Sequence, residues 1–234
     1  MLLQIDAHRG GKIAGRIRQK NEQLIISAAE EEFARHGYKG ATMNGIASRA
    51  GLPKANLHYY FNGKLALYAA VLSGILELWD GTLNELRVED DPAVALPAYI
   101  AAKMRFSRDF PLASRIFAIE ILNGAPNLTD YFNDDYRQWF RARTDVFGRW
   151  AELGKIAPID PAHLIFLLWS STQHYADFAV QISAALGREQ LTDADLQAAT
   201  ATLTQIILRG CGIEVPLATS TPQNATCAAQ LHRN

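Results

Sequence analysis

Lys54, Asn56, His58 and Tyr59 fall within six residues of one another, and every one can donate a hydrogen bond. On one short helix they would present a row of donors to phosphates and base edges, as a helix laid in a DNA major groove requires. A second group, Trp169 and Gln173, interrupts an otherwise apolar run. Four residues apart, they share a helix face. A Gln amide offers a donor and an acceptor in one plane. With an indole beside it, the pair can stack on and bond a flat heterocycle with paired amide edges. The same Gln can instead close an interhelical hydrogen bond at a subunit seam, and the residues alone leave both uses open.

Catalytic patterns are missing from the string. The six histidines, His8, His36, His58, His163, His174 and His232, are scattered without metal-ligand spacing. No HExxH, GxSxG, P-loop or GxGxxG occurs. His174 and Asp177 stand three apart and could pair, but core or seam hydrogen bonding accounts for them. Neither an enzyme nor a metal or cofactor is expected.

The donor row has to be positioned by what precedes it. Thr42 can cap a helix from Met43 to Ala50, with Ile46 and Ala47 on its apolar face. Gly51 suits a left-handed helix end, and Pro53 suits the start of the next helix. That helix, Lys54 to Tyr60, is too short to stand alone. Gly45 occupies the position where a capping box would carry an acid, which predicts a weakened start. Upstream, Arg16 to His36 is amphipathic and closed by Gly37, with Tyr38–Gly40 as a loop. Ile25, Phe33, Ile46, Leu57 and Phe61 are the expected core of a three-helix head. Lys64 opens the following helix, where an ammonium and unpaired amides could hold a phosphate.

That following helix, Lys64 to Arg87, is long enough at about 1.5 Å per residue to join the head to a larger body. Further helices are expected from the link at Glu89–Pro92 to Asp109, with Pro97 delaying or kinking the start. Others are expected over Pro111–Leu122, Leu128–Leu153, Pro161–Leu186 and Thr192–Arg209. The last two are apolar around much of their circumference and need a partner beyond their own chain. A four-helix contact with a second copy, through residues 161–186 and 192–209, would supply it. The aromatic stripe from Tyr131 to Trp150 reads as core.

The chain has 234 residues, is 49% hydrophobic, and carries a formal charge of −1 that hides an asymmetry. Residues 1–64 hold ten Lys and Arg against five Asp and Glu, whereas residues 65–234 hold thirteen against nineteen. A basic head on an acidic body suits contact with duplex DNA at one end. Arg9, Lys12, Arg16, Arg18 and Lys20 form a basic arm, either a phosphate contact or simply a solvated segment. No run of about 18 apolar residues occurs. Two cysteines, Cys211 and Cys227, do not make a disulfide scaffold. A cytoplasmic protein with no membrane partner is expected.

The string TMNGIASRAGLPKANLHYYFNGK, from Thr42 to Lys64, resembles the DNA-binding head of the TetR family of bacterial regulators. It departs from the family at Pro53, where a serine is usual. The resemblance implies an all-α, TetR-like homodimer of about nine helices: a helix-turn-helix head and a ligand-binding, dimerising body. The segments would be a disordered arm (1–15), the head (16–63), the body (64–215) and a disordered tail (216–234). Operator contacts would come from Thr42, Lys54, Ala55, Asn56, His58, Tyr59 and Lys64. The body strings YIAAKMRFSRDFPLASRIFAIEILNGAP and APIDPAHLIFLLWSSTQHYADFAVQ resemble repressors of pyrimidine utilisation within that family. That resemblance implies a uracil- or thymine-like effector held by Trp79, Lys103, Trp169 and Gln173.

Overall fold

A computed structural model describes residues 6–214, with side chains described from Ile17 onward. Ten helices and no strand occur among these residues. They are α1 (Asp6–Gly40), α2 (Met43–Ala50), α3 (Lys54–Tyr60), α4 (Gly63–Asn84) and α5 (Pro92–Asp109). After them come α6 (Pro111–Leu122), α7 (Asp134–Glu152), α8 (Pro161–Asp177), α9 (Ala179–Ala185) and α10 (Asp193–Gly210).

The head folds as its pattern dictates. Ile25, Phe33, Ile46, Leu57 and Phe61 are buried together, and α1 packs on α2, α4 and α6. Gly37 breaks α1 with φ 64° and ψ 175°, and Lys39 and Gly40 turn the chain into α2. At its other end α1 begins at Asp6, so residues 6–15 continue the helix instead of forming the expected irregular arm. Extending an existing helix adds a hydrogen bond per residue without a new nucleation penalty. The start of the arm, residues 1–5, and the expected tail with Cys227 lie outside the described residues.

The body departs from the expected boundaries in three places. Pro97 does not delay α5, which starts at Pro92 under an Asp91 cap accepting from the Ala93 N–H. Leu128–Phe132 do not extend α7. The Asn133 side chain accepts from the Asp135 and Tyr136 amides and fixes the helix start there. The stretch before Asn133 turns and lays Leu128, Tyr131 and Phe132 against the head-side core. The expected single helix over 161–186 is two helices that part at Phe178 (φ −113°, ψ 23°). The capping box at Thr192 and Asp195 is present in both directions, with the carboxylate at 2.9 Å from the Thr192 N–H.

Two apolar cores result, and α4 belongs to both. Leu67, Val71, Leu72 and Ile75 join the head and α6, while Leu83 joins α5, α7, α8 and α10. Helix α4 is the one described helix long and apolar enough to cross a membrane, but its apolar face is spent on these two cores. Helix α5 packs against both α8 and α10. Lys155 and the Trp150 indole bond the carbonyls of residues 87–90, which pins the α4–α5 link to α7.

Candidate functional site

The head presents α3 as an exposed edge. Gly51 ends α2 in the left-handed region (φ 64°, ψ 28°), its N–H directed to the Ala47 and Ser48 carbonyls. Pro53 then starts α3. Leu57 is buried and anchors the helix, while Lys54, Ala55, His58 and Tyr59 are exposed and Asn56 is half-buried. Tyr59 keeps 73% of its surface in solvent, so this phenol is positioned for a partner and not for the core.

Helix α2 is not weakly capped, as Gly45 had suggested. The Thr42 hydroxyl accepts from the Gly45 N–H at 2.9 Å. Glu32 of α1 supplies the missing acid. Its carboxylate accepts from Arg49 Nε at 2.9 Å, and its pKa is lowered, first by this bond and further by the Thr42 backbone N–H. A Cβ at Gly45 would lie 2.3 Å from Glu32 Oε1. Glycine therefore leaves room for an acid from another helix, and any N3 side chain would have to push the end of Glu32 aside.

Lys64, expected to hold a phosphate, is engaged within the head itself. Its ammonium donates to the carbonyls of Tyr38 (2.8 Å) and Ala41 (3.0 Å), with Lys39 at 3.4 Å. It also lies 4.7 Å from the Tyr38 ring centroid. All three ammonium protons are used to hold the C-terminal end of α1 against α4.

In the body, Trp79, Lys103, Trp169 and Gln173, drawn from α4, α5 and α8, line one cavity. It lies where the two cores meet. Leu76, Leu83, Phe117 and Phe132 supply apolar wall. Trp79 meets Phe117 edge-on at 4.7 Å.

Lys103 is 5% exposed and no described group accepts a hydrogen bond from it. Its ammonium sits 4.7 Å from the Trp79 ring centroid. Burial pulls its pKa down to about 8, against the opposing pull of Asp80 and Asp177. Asp80 accepts from the Tyr131 hydroxyl at 2.7 Å, and burial raises its carboxyl. The Trp169 indole N–H donates to the Tyr99 hydroxyl at 3.0 Å, which leaves that tryptophan a face but no donor for a ligand. Asp177, raised by burial, is stabilised as a carboxylate by Ser114 at 2.6 Å and by the Gln173 amide. His174 stacks on Phe178 instead of pairing with Asp177, so no dyad forms.

A model for bacterial regulatory proteins of the tetR family matches residues 25–71. A model for the C-terminal region of YcdC-like proteins, a TetR-family type, matches residues 72–214. The HTH-type transcriptional regulator RutR of Escherichia coli is 41% identical over 189 residues, covering 81% of this chain and 89% of RutR. The chain belongs to the TetR family. Among other TetR-type relatives, the activator FasR of Mycolicibacterium smegmatis is 39% identical over 89 residues, covering 38% of this chain and 40% of FasR. The Streptomyces coelicolor protein SCO4942 superposes with TM-score 0.61 at 29% identity, covering 80% of this chain and 96% of that one. The fatty acid degradation regulator FadR of Bacillus halodurans shares the fold, with TM-score 0.60 at 16% identity over 80% of this chain and 94% of FadR. TetR-family regulators bind operator DNA and small-molecule effectors and act as dimers, and these relatives are regulators, not enzymes.

Against the TetR pattern, sequence reasoning missed Asp80, Tyr131, Tyr136 and Trp139, all of which line the cavity. The last three belong to the aromatic stripe that reads as core. Asp80 did carry a signal, as a carboxylate within an apolar helix directly beside Trp79.

Proposed function

We propose that this chain is a dimeric repressor that leaves its operator when a pyrimidine base, uracil or thymine, enters the body. The observation that carries the reading is the convergence of Trp79, Lys103, Trp169 and Gln173 on one cavity. Three separate helices bring together two indole walls, an unpartnered ammonium and a planar amide. The likeness of the body to repressors of pyrimidine utilisation, and the chain's 41% identity to RutR, support the same effector.

Without effector, two α3 helices enter successive major grooves about 34–36 Å apart. Thr42, Lys54, Ala55, Asn56, His58 and Tyr59 make the contacts, and the protein works in the cytoplasm on its own DNA. Dimerisation uses α8–α9 and α10. These helices leave Leu167, Phe178, Val180, Leu186 and Ile206 at least half exposed in the single chain, and pairing would remove that apolar surface from water. Effector shifts the dimer only as far as its affinity differs between the two head spacings.

The test is fluorescence anisotropy of duplexes selected by the protein from a random pool. Binding is expected to weaken steeply with salt and to be reversed by micromolar to millimolar uracil or thymine, but not by purines. Complexes indifferent to every pyrimidine would remove the effector assignment, and a monomer with no affinity for DNA would remove the regulatory one.

A further inference from the structure

We propose that Asp80 makes the cavity selective for an imide: its carboxylate, oriented by the Tyr131 hydroxyl, accepts the ring N–H that lies between the two carbonyls of a uracil-type base. The inference rests on the pyrimidine reading above and names the group that enforces it.

A uracil edge presents carbonyl, N–H, carbonyl in sequence. Its complement is donor, acceptor, donor. The cavity holds two donors for the carbonyls, the Lys103 ammonium and the Gln173 amide. The ammonium has no lone pair and cannot accept the ring N–H, whereas Gln173 carries a carbonyl oxygen beside its N–H groups and is the neutral alternative acceptor. Trp169 cannot serve either, because its indole donates to Tyr99. Tyr131 donates its proton to Asp80 Oδ2 at 2.7 Å. The second Asp80 oxygen has no donor among the described residues, and Asp80 lines the same cavity.

Asp80 is the charged acceptor in the lining, one oxygen held by Tyr131, and a carboxylate forms a stronger bond to an N–H than the Gln173 amide oxygen does. Asp177, the other nearby carboxylate, is engaged by Ser114 and Gln173 and does not line the cavity. Cytosine would turn a ring nitrogen lone pair toward a carboxylate, so that two acceptors face each other. Rejection of such a mismatch is stronger than rejection by shape, because buried polar groups are left unpaired.

The experiment is titration calorimetry on the full chain at pH 7 with uracil, 3-methyluracil and cytosine. Wild type is expected to bind uracil at least tenfold more tightly than either of the others. Asp80→Asn is expected to weaken uracil at least tenfold and to narrow the uracil-to-cytosine ratio, since its amide can offer an N–H to cytosine. Asp80→Leu is expected to weaken uracil without improving cytosine. An Asp80→Asn protein with the uracil affinity and ratio of wild type overturns the assignment, and so does wild type that accepts 3-methyluracil as well as uracil. Wild type that binds no uracil at millimolar concentration fails at the earlier step and takes this inference with it, so the two failures are distinguishable. The methylated ligand tests the contact without any substitution, which covers a variant that does not fold.

Discussion

Replacing Lys103 by methionine should make the ligand-free protein more stable. The side chain is 5% exposed, its ammonium lies over Trp79, and no described group accepts from it. Its pKa falls from 10.5 to about 8, already net of the favourable pull of Asp80 and Asp177. A depression of that size corresponds to about 3 kcal/mol held against folding at pH 7. The unfolded chain binds this proton more tightly than the folded one. Wild-type stability from this group therefore rises with pH between about 8 and 10.5. Methionine is close in length, fills the space and carries no charge. Urea unfolding of the ligand-free proteins is the assay. The variant is expected to lead by about 3 kcal/mol at pH 7, or about 6–12 °C in melting temperature for a chain of this size. The lead should shrink below about 1 kcal/mol at pH 10, where the wild-type lysine is mostly neutral. The same variant should lose effector binding. Equal stability at pH 7, or a lead that does not change with pH, would refute the account of Lys103 as a charge kept unpaired for a ligand.

Gln173→Ala should bind operator as wild type does but fail to release it with uracil; full release at the wild-type uracil concentration would remove Gln173 from the site. Lys54→Ala and Tyr59→Ala should weaken operator binding, and the lysine variant should also flatten the salt dependence by about one counterion; unchanged affinity at physiological salt removes either from the contacts. Gly45→Ala should destabilise the head by about 1–3 kcal/mol, because its Cβ evicts the Glu32 carboxylate from its partners; an unchanged melting curve would sink that reading. Tyr68→Phe, which deletes the 3.0 Å bond to Glu120, should reduce the effect of uracil on operator affinity while leaving uracil binding itself near wild type; a coupling equal to wild type would show that this bond carries none of the signal.

Much of the head was legible because its signals are local. Gly51, Pro53 and the run of donors lie within nine residues, and α3 spans the expected Lys54–Tyr60. What was not legible depends on residues brought together from a distance. Glu32 caps a helix beginning eleven positions downstream, so Gly45 read as a defect although it is an accommodation. Lys64 sits at a helix start that invites a phosphate, but the end of α1 folds back to take its protons. The break at Phe178 carries neither proline nor glycine, so nothing in the apolar period announced it. The cavity was half legible. Trp169 and Gln173 stood out as polar and aromatic residues on one face, whereas Asp80 and Tyr131 acquire their role only when the turn before Asn133 carries Tyr131 across to α4.

The position of the cavity has a mechanical consequence. It lies between two cores that share α4, and its walls are drawn from both: Trp79 and Phe117 pack with the head-side core, Trp139 and Trp169 with the body-side core. A ring of the kind proposed above would bear on Phe117 of α6, which lines the cavity. One turn along α6, the buried Glu120 accepts from Tyr68 of α4 and from the Asn127 amide at 2.6 Å. Tyr68 in turn packs on Phe33 and Tyr38 of α1 at 4.7 and 4.9 Å, and the Tyr38 carbonyl is held by Lys64. Every link in this series is buried or hydrogen-bonded, and close-packed interiors pass displacement on because they cannot absorb it. The head therefore has no slack layer between it and the cavity. A small shift of α6 must be answered either by repacking Tyr68 or by moving α1 with α2 and α3 attached, and in a dimer the second response changes the distance between the two α3 helices.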